Sequence, residues 1–214
     1  MRNFDCVIFD VDGTLVSSLK LILNSMNHIA RKYLNKTFKD KEILDMFGPT
    51  EEAIIKKLYN ERFEEAEKDY FNFYSDNHSE VDIFNGMKEI IQELKDRNVK
   101  LAVFTGKGKR STEITLEKSG YNNLFEILIT GDDVKECKPS GEGIIKILDY
   151  FDVSKDKTLM IGDSSHDVIA AQDVGVKIAS VLWDSFSLEE IIKLKPDYLF
   201  KNLDELKTFL FENT

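Results

Sequence analysis

With 214 residues, 42% of them apolar, the chain can bury a substantial core as one domain or as a domain with an insertion. Its net charge of −10 opposes nonspecific nucleic-acid binding, which needs a basic face to displace counterions, and means that any small anionic substrate requires a local cation. No stretch approaches the roughly 18 uninterrupted apolar residues of a membrane span and no basic segment leads into a long apolar one, so a cytoplasmic protein without nucleic-acid or membrane partners is expected, with Cys6 and Cys137 as reduced thiols.

The run Val7-Ile8-Phe9-Asp10-Val11-Asp12-Gly13-Thr14 opens the chain with an apolar strand that delivers two carboxylates into a glycine turn. Side chains alternate along a strand, so Asp10 and Asp12 are expected to share one site, where two carboxylates repel unless a cation or a proton intervenes. From residue 17 to about 82 no strand is convincing. Leu19, Ile22, Leu23, Met26, Ala30, Tyr33 and Leu34 recur at helical spacing, and further helical patterns cover Thr50 to Tyr59 and Phe63 to Asn77, the latter with Phe63, Ala66, Tyr70 and Tyr74 on one stripe. This stretch reads as an all-helical insert, joined to the rest by hinges near residues 16 to 19 and 79 to 85.

From Gly86 the chain alternates. A helix with Met87, Ile90, Ile91 and Leu94 on its inner face precedes the short apolar strand Leu101 to Phe104, and further strands are predicted near Ile127 to Ile129, Leu159 to Ile161, Ile178 to Val181 and Tyr198 to Phe200. Helices of about ten residues separate them; Gly120 and Gly175 stand where helices should stop, and the pairs Ser187 with Glu190 and Asn202 with Glu205 fit or imitate capping boxes. The expected fold class is α/β: a doubly wound, Rossmann-like parallel sheet formed by residues 1–16 and 83–214, with residues 17–82 as a helical cap domain.

Ligands of an open parallel sheet bind beyond the carboxyl ends of its strands. The residues following successive strands are Asp10 and Asp12, then Thr105, Gly106 and Lys107, then Lys138, then Gly162, Asp163, Ser164 and Asp167. Taken singly, Asp163 and Asp167 suit a helix N-terminus and Lys138 suits a surface, but together they put four carboxylates and a lysine in one cleft. Carboxylate oxygens are the ligands magnesium prefers, and Asp10 and Asp163 are the expected direct ligands.

In these motifs the chain resembles the haloacid-dehalogenase-like hydrolases, in the branch whose helical cap follows the first motif. The resemblance spans the whole length: Asp10-Val11-Asp12-Gly13-Thr14, Thr105 after its strand, Lys138-Pro139 and Gly162-Asp163-Ser164-Ser165-His166-Asp167 occur in the family's order. Val181-Leu182-Trp183 and Lys195-Pro196-Asp197-Tyr198 are similar to the tail of phosphoglycolate-phosphatase-like members, and Gly141 stands where many relatives carry a second proline.

The resemblance implies a Mg2+-dependent phosphatase of a small phosphorylated metabolite. Asp10 would be the nucleophile, forming an aspartyl-phosphate, and Asp12 the acid and then base; the second aspartate argues for phosphoryl chemistry, since haloalkanoic-acid dehalogenases lack it. Thr105 and Gly106 would hydrogen-bond the phosphoryl group, Lys138 would neutralise charge on it and on the nucleophile Asp10, the metal would be held by Asp10, the Asp12 backbone carbonyl and Asp163, and Asp167 would act through water. His166, at the start of a helix, is expected to face outward. In the insert, Lys20, Asn24, His28 and Arg31 and the turn Phe47-Gly48-Pro49-Thr50 are candidates to touch substrate, although ten basic against thirteen acidic side chains give the insert no basic surface for a polyanion. Phosphoglycolate, nucleotides, sugar phosphates and pyrophosphate all remain open, as do a phosphomutase of the beta-phosphoglucomutase type and a catalytically silent phosphoryl-binding protein. A monomer or weak homo-oligomer is expected.

Overall fold

A computed structural model describes residues 4–185 and 188–211 of the protein. Strand β1 (Cys6–Phe9) is buried along its whole length, having parallel neighbours on both sides and helices on both faces. Two further residues, β2 (Val16–Ser17), lead into four helices: α1 (Leu19–Leu34), α2 (Asp40–Leu44), α3 (Glu51–Tyr59) and α4 (Phe63–Asp76). The chain returns through β3 (Asp82–Ile83), which pairs antiparallel with β2, Val16 opposite Ile83 and Ser17 opposite Asp82. The sequence pattern did not reveal this small ribbon, because two residues are too few to display an alternation.

The remaining elements alternate as expected. They are α5 (Met87–Asp96), β4 (Lys100–Phe104), α6 (Lys109–Lys118), β5 (Ile127–Ile129), α7 (Glu142–Phe151), β6 (Thr158–Gly162), α8 (Ser165–Val174), β7 (Lys177–Val181), α9 (Leu188–Leu194), β8 (Tyr198–Phe200) and α10 (Leu203–Phe211). Six strands form one parallel sheet in the order β5-β4-β1-β6-β7-β8, with Phe9 level with Val103 on one side and Ile161 on the other. The order reverses about β1, so the crevice beyond its carboxyl end is the natural ligand position.

Side-chain alternation splits the core into two layers. Val7, Phe9, Leu101, Val103, Leu159 and Ile161 face a layer closed by α5 and α10 and continuous with the buried residues of α1, α3 and α4. Ile8, Ala102, Phe104, Met160 and Ile178 face the opposite layer, closed by α7, α8 and α9. In α1 the buried face is centred on Leu21, Ile22, Met26, Ile29 and Ala30, so it is rotated from the predicted stripe, and Leu34 is 40% exposed. The α4 stripe holds, with Ala66, Tyr70 and Tyr74 buried.

Helix ends follow the sequence where the signal was local. Gly175 caps α8 with a left-handed φ of 79°, Gly120 follows α6 at φ 73°, and Asn202 Oδ1 accepts from the Glu205 amide at 3.0 Å while Glu205 accepts from the Asn202 side chain. The Ser187 box lies outside the described residues; Glu190 accepts from Ser165 Oγ at 2.9 Å. At Gly141 the amide donates to Asp173 Oδ2 at 3.1 Å, and a Cβ would come within 2.3 Å of Val174, so a proline there would lose a bond and collide.

Gly143, in the first turn of α7, has no room for a methyl group: a Cβ would lie 2.2 Å from the buried Phe104 ring. Glycine to alanine inside a helix ordinarily stabilises by up to about 1 kcal/mol. Here Gly143→Ala should instead destabilise by about 1–3 kcal/mol through overpacking. Urea unfolding checks this, and an unchanged or higher midpoint would show that the ring yields freely.

Candidate active site

Every strand of the sheet's centre ends in a polar residue that lines one cavity of about 380 Å³: Asp10 after β1, Thr105 after β4, Lys138 on the segment after β5 and Asp163 after β6. Asp10 closes the register, its amide donating to the Ile161 carbonyl at 2.9 Å. Gly13 then turns the chain at φ +81°, and a Cβ at that position would fall 2.1 Å from Asp163 Oδ2. A glycine is therefore required twice over, by the backbone conformation and by the carboxylate lying against it. Thr14, wholly buried, donates its hydroxyl to Asp163 Oδ1 at 3.2 Å and joins the first loop to the fourth.

Asp10, Asp163 and Asp167 each bring one carboxylate oxygen to within 4.8 Å of the others, and all three are buried. Lys138 is their shared counter-ion, donating to Asp10 Oδ1 at 2.7 Å and to Asp167 Oδ1 at 2.5 Å, with its ammonium 4.7 Å from the Phe104 ring centre. The second oxygen of Asp167 accepts from the Ser164 amide at 3.0 Å and hydroxyl at 2.7 Å, closing a capping box at the start of α8. Both oxygens of Asp167 are thus engaged by the protein, whereas Asp10 accepts from Lys138 and Asp163 accepts from Thr14 through one oxygen each.

One ammonium does not balance three carboxylates. Burial is the largest influence on Asp10 and pushes its carboxyl up to about 7, with the Asp167 charge adding to the rise and Lys138 opposing it. Burial, then the Asp10 and Asp167 charges, raise Asp163 well above the usual carboxylate range. For Lys138 burial works against the charged form, yet the two carboxylates outweigh it and hold the ammonium more firmly protonated than usual.

Asp12 lines the same cavity, as expected from its spacing, but its carboxylate has different partners. The strand stops at Phe9, so strict alternation does not extend to Asp12. Lys107 Nζ donates to its two oxygens at 3.3 and 3.1 Å, and Ser18 Oγ donates to Oδ1. The repulsion expected between Asp10 and Asp12 falls chiefly on Asp10, Asp163 and Asp167 instead, since Asp12 is only the last of the influences on Asp10. Thr105 is buried, its hydroxyl accepting from the Lys107 amide at 3.2 Å, and Gly106 lines the cavity beside it.

Several participants carried little or no signal in the sequence. Lys107 stands in the strand-end set, but nothing there marks it as a buried cation. In the structure it is buried between Asp12 and Glu51, whose Oε1 lies 3.6 Å away. Glu51 comes from the first residue of α3 and also accepts from the Gly108 amide at 2.8 Å and Ser111 Oγ at 2.7 Å, so it ties the inserted helices to the loop after β4. A glutamate in a first helical turn gives no hint of such a reach. His166 is exposed, as expected, and lines the cavity.

Of the candidates in the insert, the turn Phe47-Gly48-Pro49 lines the cavity, while Lys20, Asn24, His28 and Arg31 do not. Asn24 donates to Glu80 at 3.0 Å, Lys20 lies 3.9 Å from the same carboxylate, and His28 stacks on Phe73 at 4.4 Å. The polar face of α1 is turned outward, and its apolar residues Leu19, Ile22 and Met26 look into the cavity.

Residues 7–181 match the family described as haloacid dehalogenase-like hydrolase. The chain is 31% identical over 209 residues to the pyrophosphatase PpaX of Bacillus mycoides (strain KBAB4), covering 97% of each. Among solved structures it superposes on a predicted phosphoglycolate phosphatase from Haemophilus somnus 129pt, with a TM-score of 0.85 at 22% identity over 98% of this chain and 99% of that one. It also superposes on CbbY from Rhodobacter sphaeroides in complex with phosphate, with a TM-score of 0.81 at 19% identity over 95% and 96%. These two likenesses show the fold; together with the family match and the Bacillus relative, they accompany a single conclusion, that the chain belongs to the haloacid dehalogenase-like hydrolases.

Proposed function

We propose that the protein is a magnesium-dependent phosphatase that hydrolyses a small phosphomonoester, or pyrophosphate, through an aspartyl-phosphate on Asp10. The observation that carries this reading is the Asp10 carboxylate, gripped by Lys138 at 2.7 Å in the cavity wall and clustered with Asp163 and Asp167. Family membership makes it a hydrolase, and the Bacillus relative named as a pyrophosphatase keeps pyrophosphate among the substrates.

In this reading an Asp10 oxygen forms a bond to phosphorus as the bond to the leaving oxygen breaks, and Asp12 gives that oxygen its proton. Water then attacks phosphorus and loses a proton to Asp12 as the bond between phosphorus and the Asp10 oxygen breaks, which releases phosphate and restores the Asp10 carboxylate and the Asp12 proton. Thr105 and Gly106 donate hydrogen bonds to the phosphoryl oxygens, and the Lys138 ammonium balances charge on them and on Asp10. Asp167 positions Lys138, which it contacts at 2.5 Å.

An all-oxygen, buried donor set with more carboxylate than lysine charge suits a hard divalent cation, and Asp10, Asp163 and the Asp12 backbone carbonyl would hold it, with Asp167 acting through water. When bound, such a cation supplies positive charge against the phosphoryl oxygens. Residues 17–82 are read as a cap over a core of residues 1–16 and 83–214, excluding water from the cleft. Among the described residues no helix is long and apolar enough to cross a membrane, and a cytoplasmic monomer or weak homo-oligomer fits this reading.

Replacing the nucleophile, Asp10→Asn, should lower phosphate release by roughly four orders of magnitude or more. Because it removes a buried like charge, the variant should melt no lower than the parent without metal, which separates lost chemistry from lost fold. Retained turnover would sink the assignment of Asp10.

The raised carboxyls also set a pH dependence. Asp10 titrates near 3.8 when unfolded and near 7 when folded, so the folded chain binds more protons between those values and this contribution to stability falls as pH rises across the window. In EDTA the Tm advantage of Asp10→Asn over the parent should widen from about pH 5.5 to about pH 8. The Tm gain given by saturating Mg2+ should grow over the same range, since protons and metal compete for the same oxygens. A gain independent of pH, read by differential scanning fluorimetry, would place metal binding elsewhere.

A further inference from the structure

The two ends of the cavity differ in chemistry. The sheet end carries the carboxylates and lysines described above, whereas the end built by the inserted helices presents Leu19, Ile22 and Met26 from α1, Leu44 at the end of α2, Phe47 just beyond it, and Ile54 from α3. No lysine, arginine or histidine from this insert lines the cavity among the described residues. Its nearest basic side chains are turned away, Lys20 toward Glu80 and His28 onto Phe73.

The two lining lysines are each held by two carboxylates. Lys138 serves Asp10 and Asp167, and Lys107 serves Asp12 and Glu51. Burial opposes the charged form of Lys107, but these neighbours outweigh it and keep it protonated. Asp184 adds a further carboxylate to the lining, and the remaining basic residue, His166, belongs to the core and is exposed. A second anionic group on a substrate would therefore leave water for an apolar wall and approach a surplus of carboxylates, with no cation of the insert to receive it. An uncharged hydrocarbon group would lose nothing there and would cover Ile22, Met26 and Ile54.

Resting on the phosphatase reading, we propose that this site selects phosphomonoesters of small, uncharged, apolar alcohols or phenols, and discriminates against pyrophosphate and against esters bearing a second anion. The phosphorus–oxygen bond to the organic group breaks, that oxygen takes its proton from Asp12 as the neutral alcohol or phenol, and water supplies the oxygen that completes inorganic phosphate. Phe47 is the specificity-determining residue most open to exchange, being 45% exposed on a turn at the cavity wall.

The test is kcat/KM of the full chain with Mg2+ for butyl phosphate, phenyl phosphate, 2-phosphoglycolate and pyrophosphate, followed by the same panel for Phe47→Lys. Butyl and phenyl phosphate should exceed 2-phosphoglycolate and pyrophosphate, whose leaving groups carry negative charge of their own, by about tenfold or more. Intrinsic reactivity cancels in the variant comparison, where the ratio of pyrophosphate to butyl phosphate should rise by about tenfold in Phe47→Lys. A parent enzyme that prefers pyrophosphate or 2-phosphoglycolate, or a ratio unmoved by the lysine, overturns the inference while leaving the phosphatase reading intact. Absence of phosphate release from every ester and from pyrophosphate overturns the phosphatase reading itself and the inference with it.

Discussion

Three buried carboxylates meet one lysine beyond the carboxyl edge of the sheet, and the cost of holding them together governs the loops around them. Like charges in a poorly solvated site repel strongly, which is why burial and mutual repulsion lift Asp10 and Asp163 toward their neutral forms. Such a cluster survives only if the surrounding structure over-determines it. Lys138 bridges Asp10 and Asp167, Thr14 ties Asp163 to the first loop, and Ser164 fixes the far oxygen of Asp167.

The sheet makes that concentration possible. Parallel strands end side by side, and the reversal of strand order about β1 opens a crevice with side chains arriving from β1, β4, the segment after β5 and β6. Both faces of β1 are packed, Val7 and Phe9 into one layer and Ile8 into the other, so the strand that delivers Asp10 to the cavity is held from both faces. Gly13 completes the arrangement by letting the chain pass directly against the Asp163 carboxylate.

A second charged group links the insert to this centre. Lys107 lies between Asp12 and Glu51, its ammonium 4.9 Å from the Tyr74 ring centre, while Tyr74 hydrogen-bonds Thr115 across to α6 at 2.8 Å. Glu51 is the only carboxylate of the insert in the cavity lining among the described residues, and it is spent on the loop after β4. The insert therefore meets the cavity with its apolar side chains. Its hydrogen bonds to the loop after β4 and to α6 lie beside apolar packing that is continuous with one face of the sheet, so the two parts share a hydrophobic layer beneath a charged seam.

How far the sequence reached depended on the range of the interaction involved. Alternation of apolar runs and helical stripes, which are local properties, disclosed the parallel sheet and the helices of the insert; the rotated face of α1 shows the limit, because Leu34 fits the period and yet tertiary packing leaves it exposed. The strand-end motifs likewise named Asp10, Asp12, Thr105, Gly106, Lys138, Asp163 and Asp167 as neighbours, and all of them line one cavity. The pairing of Lys138 with Asp10 was expected, but the second ion-pair group was not legible: Asp12 and Lys107 are 95 positions apart, Glu51 reaches Lys107 from the first residue of α3, and α1 turns its polar candidates Lys20 and Asn24 to Glu80. Sequence alone determined the order of elements and the polar residues at the strand ends, because both are written in patterns a few residues long. The tertiary structure alone decided the distribution of charge and the apolar wall of the cavity, because burial and ion pairing depend on groups that meet only when distant segments pack.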